Sequence, residues 1–244
     1  VEEAAALLLG VAPEDAAQVL ERASSQFART ALAALSPSDG ATLLGALPLD
    51  RATALVRGME PEARERLLGG TDPDLGRAIR ALLGFPDGTA GAVMDPKVLA
   101  LRSDLPAGEA LERVRSAPSH VLYNLYVVDE AQRLVGVLNL RELLLAPPDA
   151  VLGTVMQPPA WRLAALTDRR ALVEHPGWRE VHALPVVDRQ GRFLGAVRYR
   201  TMRRLEDALR ERASEPSAPT AEALGDLFWT GVAGLLDAVG APRR

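Results

Sequence analysis

Side chains able to do chemistry are sparse in this chain of 244 residues, and their types exclude more than they suggest. Cysteine is absent, which removes thiolate nucleophiles, disulfides and cysteine zinc sites. The single lysine, Lys97, stands in Pro96-Lys97-Val98, whereas a phosphate-binding loop needs a Gly-Lys-Ser/Thr step. His120, His175 and His182 are the three histidines. The last two straddle Pro176-Gly177 instead of sharing a helix face, so they make no metal pair of helical spacing. No Gly-x-Ser-x-Gly elbow occurs, and no nucleophile stands in a pattern with a base. The chain is therefore expected not to be an enzyme. A net charge of −4 lacks the basic footprint that nucleic acid requires.

Chemistry must then come from places where elements meet, and repetition says where that is. Tyr126-Val-Val-Asp-Glu-Ala-Gln-Arg-Leu-Val-Gly-Val137 matches Pro185-Val-Val-Asp-Arg-Gln-Gly-Arg-Phe-Leu-Gly-Ala196, with Asp129 and Asp188 offset by 59 (188−129). Upstream, Gly91-Ala-Val-Met-Asp-Pro96 matches Gly153-Thr-Val-Met-Gln-Pro158, offset by 62 (153−91). Each copy predicts strand–helix–strand–strand–helix. In the first, a helix over 106–116 precedes a strand over 121–128, a turn over 129–132, a strand over 133–138 and a helix from Leu140. In the second, a helix over 167–175 precedes strands over 181–187 and 192–197 and a helix over 199–210. Such units pair, and the cleft between copies is the expected ligand site.

The first ninety residues carry a different repeat. Pro13, Ser25, Pro37, Leu49, Pro61 and Pro73 lie on one twelve-residue grid. Apolar residues recur six, seven and ten places after each node, which puts them on one helix face. Val19 and Arg80 occupy two of these positions, Arg80 breaking the pattern. Proline is tolerated in the first helical turn, and Ser36 and Asp72 precede it as caps. Helices this short are unstable alone, so they must stack into a solenoid.

The order of the α/β units, the Val-Val-Asp turn and the Val-Met-Asp-Pro lead-in resemble the cystathionine-β-synthase (CBS) domain pair over residues 91–210. The helical repeat, the junction Phe85-Pro-Asp-Gly-Thr-Ala-Gly-Ala-Val-Met94 and the link Leu143-Leu-Leu-Ala-Pro-Pro-Asp149 resemble the cytosolic region of MgtE-type magnesium transporters over about residues 10–210. The resemblance implies an α+β chain with these domains: a helical N-domain over 1–86, CBS unit 1 over 87–149, CBS unit 2 over 150–212, a linker over 213–223 and an amphipathic helix over 224–240. It also implies a cytoplasmic regulatory domain that senses Mg2+ by domain closure. The implied partners are a second copy, paired as a homodimer through the CBS units, and a transmembrane pore domain outside this chain.

Carried onto this sequence, the resemblance makes Asp87 and Asp95 the candidate Mg2+ ligands. Mg2+ keeps several waters and takes few protein oxygens, so such sites are weak. The family's acid after Asp87 is Gly88 here, and two acids that enter its last helix are Arg200 and Thr201, with Arg203-Arg204 following. A weakened ion response is the expectation, with positive charge there pairing with acids of the helical domain. CBS pairs that bind adenine nucleotides carry Gly-h-h-Ser/Thr-x-x-Asp, h being apolar. Gly136-Val-Leu-Asn-Leu-Arg-Glu142 is close to it and makes Asn139 and Glu142 candidates for ATP or another adenine nucleotide; Gly195-Ala-Val-Arg-Tyr-Arg-Thr201 lacks the acid. The alternative reading is a stand-alone CBS-pair scaffold that binds a nucleotide or a protein partner. At the C-terminus, Leu224, Leu227, Phe228, Leu235, Leu236 and Val239 keep helical spacing. That helix is too short for a bilayer span and is expected to dock on this protein or a second copy. The acidic start Val1-Glu2-Glu3 is unlike a signal peptide.

Overall fold

A computed structural model of the protein describes residues 8–117 and 123–214. The predicted helix over 224–240 lies outside them, as do His120 and the first two residues of the strand expected over 121–128.

Six helices start on the six grid positions: α1 Pro13–Arg22, α2 Ser25–Ala34, α3 Pro37–Ala46, α4 Leu49–Arg57, α5 Pro61–Gly69 and α6 Pro73–Leu83. Proline opens four of them, and side chains of Ser24, Ser36 and Asp72 cap three by accepting backbone N–H groups. Leu20, Leu32, Leu44, Leu55, Ile79 and Leu82 are fully buried in these helices. Val19 and Arg80, the two solvent-facing members of the pattern at six and seven, belong to α1 and α6.

Each helix packs mainly on the helix two units along, α1 on α3 on α5 and α2 on α4 on α6. One turn of the solenoid is thus two twelve-residue units. Arginines tie helices to one another, between rows and within a row, at helix C-termini, where carbonyls lack intrahelical partners. Arg51 donates to the Leu20 and Ala23 carbonyls (3.0 and 2.8 Å). Arg57 donates to Leu82 at 2.9 Å, and Arg64 to Val56, Arg57 and Met59 at 3.2, 3.1 and 3.1 Å. The forked guanidinium suits this task, because one side chain can serve two or three carbonyls.

A short helix, α7 (Ala90–Val93), continues the solenoid into the α/β region. It packs on α4 and α6 on one side and on strands β4 (Leu163–Ala164) and β6 (Phe193–Arg198) on the other. The first α/β unit then runs β1 (Ala100–Arg102), α8 (Ala107–Ser116), β2 (Asn124–Val128), β3 (Leu134–Asn139) and α9 (Leu140–Leu145). After α10 (Leu152–Val155) the second unit repeats it with β4, α11 (Arg169–Val173), a 3-10 turn at Pro176–Arg179, β5 (Ala183–Val187), β6 and α12 (Tyr199–Ser214). The sheets are ordered β1-β2-β3 and β4-β5-β6, each with one parallel and one antiparallel pairing. Contacts divide the chain into compact units Val1–Arg203 and Arg204–Arg244, and α12 runs four residues beyond its expected end at 210.

Leu101, Leu125, Val127, Leu138, Leu143 and Leu152 form the core of the first unit. Val98, Tyr126, Leu134, Ala183, Val187 and Ala196 form a second cluster, between the two sheets. Here Tyr126 and Phe193 lie 5.0 Å apart, and the Tyr126 hydroxyl donates to the Ala183 carbonyl at 3.3 Å. Burial pushes that phenol's pKa upward, so it acts as a fixed donor.

The two Val-Val-Asp hairpins are built alike. Both have a register shift at the second valine, Val127/Val128 and Val186/Val187. Both carry a left-handed residue at the turn, Gln132 (φ 61°) and Gly191 (φ 78°), which are equivalent by the 59-residue offset. A non-glycine residue there costs about 1 kcal/mol. Gln132→Gly is expected to raise stability by roughly that amount, and Gly191→Ala to lower it. Urea melts of the two variants check the opposite signs.

Candidate functional site

The lead-in segments change partners. Asp95 forms an antiparallel bridge with Ala196 of the second sheet, exchanging bonds of 2.8 and 3.1 Å. Gln157 does the same with Val137 of the first sheet, at 2.8 Å both ways. Each unit's lead-in therefore completes the other unit's sheet. The exchange joins equivalent positions of the two copies, because 157−95 is 62 and 196−137 is 59.

It also accounts for the repeated glycine. A Cβ on Gly195 would lie 2.4 Å from the Asp95 carbonyl oxygen and 2.9 Å from Pro96 Cα. A Cβ on Gly136 would lie 2.2 Å from Met156 Sδ. Both glycines are the points where a lead-in crosses a strand.

At one crossing the side chains carry charge. Arg198, the last residue of β6, donates Nη2 and Nε to Asp95 Oδ2 at 2.6 and 3.0 Å. Asp95 Oδ1 accepts the Lys97 backbone N–H at 3.0 Å. Both side chains are about three-quarters buried. The equivalent positions at the other crossing are Gln157 and Asn139, both uncharged. So Asp95 meets a cation supplied by the protein, and both of its oxygens are engaged. Arg198 thereby neutralises an acid of the first α/β unit. Nearby, Arg200 is exposed and Thr201 is buried.

Asn139 and Glu142 are brought together, as a helix cap. Asn139 Oδ1 accepts the Glu142 N–H at 2.8 Å, and Glu142 Oε2 accepts the Asn139 N–H at 2.9 Å. This reciprocal box closes the N-terminus of α9. A ribose hydroxyl at Glu142 would have to compete with that bond.

Asp87 lies in the junction before α7, with its carboxylate two-thirds exposed and 3.9 Å from Arg57 Nε. The next residue, Gly88, has φ 74°, and Arg169 Nη2 is 3.6 Å from where its Cβ would be. Arg169 Nε is buried without a hydrogen-bond partner. Arg57 thus stands at the junction carboxylate, and Arg169 beside the neighbouring Gly88. Among the described residues no group of three or more His, Asp or Glu side chains is arranged to hold a metal ion. The donor set around Asp95 does not fit a hard cation; that of Asp87 leaves room for one in water.

These features have counterparts in known proteins. Residues 1–88 match the family model of the MgtE intracellular N domain, and residues 90–149 that of the CBS domain. A crystal structure of the cytosolic domain of the Mg2+ channel MgtE in complex with ATP superposes with a TM-score of 0.72 at 30% identity, covering 82% of this chain and 83% of that one. This chain belongs to the MgtE family. The magnesium transporter MgtE of Thermus thermophilus is 34% identical over 170 residues, which is 68% of this chain and 37% of that protein. The chain thus spans little more than a third of that relative's length. The soluble part of a magnesium transporter shares the fold, with a TM-score of 0.69 at 22% identity over 83% of this chain and 80% of that one.

Within this MgtE-family chain, two side-chain arrangements escaped the sequence. The Asp95–Arg198 pair joins residues 103 apart and has no local signature. Its one signal was that the lead-ins differ as Asp95 against Gln157 just where the strand ends differ as Arg198 against Asn139. The second is the contact of His175 with Trp161, whose rings stand edge-on at 5.6 Å. His175 Nδ1 accepts the Gly177 N–H at 3.1 Å. Burial lowers the pKa of this histidine below its ordinary value. The neutral form is therefore favoured on folding, and the stability it contributes is complete above the unfolded value of about 6.5 and is lost as pH falls below it. Thermal melts between about pH 7 and pH 5 are expected to show a shallower decline for His175→Gln than for the parent.

Proposed function

We propose that this chain is the cytosolic regulatory part of a magnesium transporter, weakly responsive to Mg2+. What carries the reading is the union, in one chain, of an MgtE N domain and CBS units joined through α7, matched across both parts by the cytosolic domain of a Mg2+ channel. Its site of action is the cytoplasmic face of a membrane, and its partners are a second copy, paired through the CBS units, and a pore domain. The solenoid and the CBS pair close on each other as Mg2+ neutralises acids between them, because a cation shifts a two-state arrangement by its differential affinity. Asp87 is the residue of this chain that takes part. The response is weak, because Arg57 stands at Asp87 and Arg198 at Asp95.

A Mg2+ site with a Kd near 10 mM, half filled, stabilises by about 0.4 kcal/mol, or roughly 1 °C in Tm for a chain of this size. That rise is expected in thermal melts against sodium chloride of equal ionic strength, and Asp87→Asn is expected to abolish it. Identical melts with Mg2+ and sodium would sink the ion-sensing reading. Sedimentation in the same solutions tests the homodimer.

The ATP held by the similar cytosolic domain favours a second role for the first CBS unit. Asn139 and Glu142 are the residues proposed to meet an adenine nucleotide, with Glu142 exchanging its cap bond for the ribose hydroxyls. A fluorescent ATP analogue is expected to bind the parent saturably and Glu142→Ala poorly. No saturation in the parent would remove this role.

A further inference from the structure

We propose that the meeting point of the two Val-Val-Asp hairpins is a binding site for a phosphate-class oxyanion, held between Arg133 and Arg192. The two arginines face each other across an isolated antiparallel bridge. The flanking bonds, Leu134 N–H to Gly191 O at 3.0 Å and Phe193 N–H to Gln132 O at 2.8 Å, make them a non-hydrogen-bonded pair. In that pair type the Cα atoms are about 4.5 Å apart and the side chains closest. Like charges placed directly opposite are destabilising, so two cations fixed there need a counter-charge.

Part of it is internal. Arg133 Nε donates to Asp129 Oδ2 at 2.7 Å and Arg192 Nε to Asp188 Oδ2 at 2.6 Å. The Asp129 carboxyl is held below its usual pKa by the Arg133 backbone N–H and by that side chain. For Asp188, partial burial acts upward but is outweighed by hydrogen bonds from Arg192 and Gln190. Each carboxylate anchors one Nε, and no Nη atom of either arginine has a partner among the described residues. Both arginines, with Ala131 and Gln190, line a shallow cavity of about 300 Å³. No carboxylate lines it.

Two anchored guanidinium forks with unused donors, set across a local two-fold axis, match an oxyanion with several acceptor oxygens. Because the two acids offset the two charges, attraction comes from donor placement, and binding is weak and salt-sensitive. The site lies at the far end of β3 from Asn139, six residues or about 20 Å away, so it is separate from the candidate nucleotide residues. It is also independent of the Mg2+ reading.

Thermal melts with inorganic phosphate, against sodium chloride of equal ionic strength, are expected to show a saturable rise in Tm. Each of Arg133→Gln and Arg192→Gln is expected to weaken phosphate about tenfold, the value of one charge-assisted contact. The double variant is expected to lose the effect while melting, without phosphate, no lower than the parent, since the opposed charges are gone. If the double variant melts lower, the single variants carry the test through their affinities. A parallel ATP titration separates the sources. ATP that competes with phosphate makes a nucleotide tail the ligand, and ATP that does not leaves the free anion. A phosphate effect no larger than that of chloride, or one undiminished in the double variant, overturns the proposal.

Discussion

Replacing Gly195 with alanine is expected to cost about 3–5 kcal/mol, the largest effect of any single methyl in the α/β region. The new Cβ would sit 2.4 Å from a backbone oxygen, that of Asp95, and backbone cannot rotate aside as a side chain can. The residue also has φ 152°, which L-residues rarely adopt, at a cost of about 1–3 kcal/mol. Relief requires the lead-in to retreat, which breaks its two bonds to Ala196, worth about 1 kcal/mol each. Gly136→Ala is the control. Its Cβ would meet the flexible side chain of Met156, which can repack, so a loss of about 1–2 kcal/mol is expected. Guanidinium melts of the two variants decide: equal losses would mean that the crossing lead-ins do not dictate these glycines.

The second large effect lies at the same crossing. Asp95→Ala leaves Arg198 three-quarters buried beside no acid, and Arg198→Ala strands Asp95 likewise. Removing one partner of a buried pair costs about 3–5 kcal/mol. The residual exposure here reduces that to about 2 kcal/mol. The double variant Asp95→Asn/Arg198→Gln, which copies the uncharged character of the other crossing, is expected to recover more than half of either single loss. Strictly additive losses in this cycle would deny any coupling between the two residues. The cycle also bears on ion response. If Arg198 occupies Asp95 in place of a cation, Arg198→Gln should increase the Mg2+-dependent rise in Tm, and Arg133→Gln should leave it unchanged.

The solenoid was legible because its instructions are local. Proline, a capping Ser or Asp and two or three apolar residues recur within each twelve-residue unit, and each helix begins where its unit begins. Stacking of alternate units was not legible, since periodicity names the buried face but not the neighbour that buries it. The paired sheets were legible through the doubled Val-Val-Asp and glycine positions. Their chemistry was less so. The doubling pointed to a ligand cleft between the copies, whereas the repeated Gly136 and Gly195 are where chain crosses chain. Asn139 and Glu142 read as nucleotide contacts, and the structure holds them as a capping box.

The sequence by itself determined the element order, the helix starts and the two-copy architecture, because these depend on residues a few positions apart. Tertiary structure decided which charges meet. Asp95 and Arg198 come together over 103 positions, and Arg133 and Arg192 over 59 (192−133). Both meetings follow from sheets completing and facing each other across the local two-fold axis. Coulombic and hydrogen-bond energies act within a few ångströms of space, and no spacing along the chain encodes that distance until the sheets have formed.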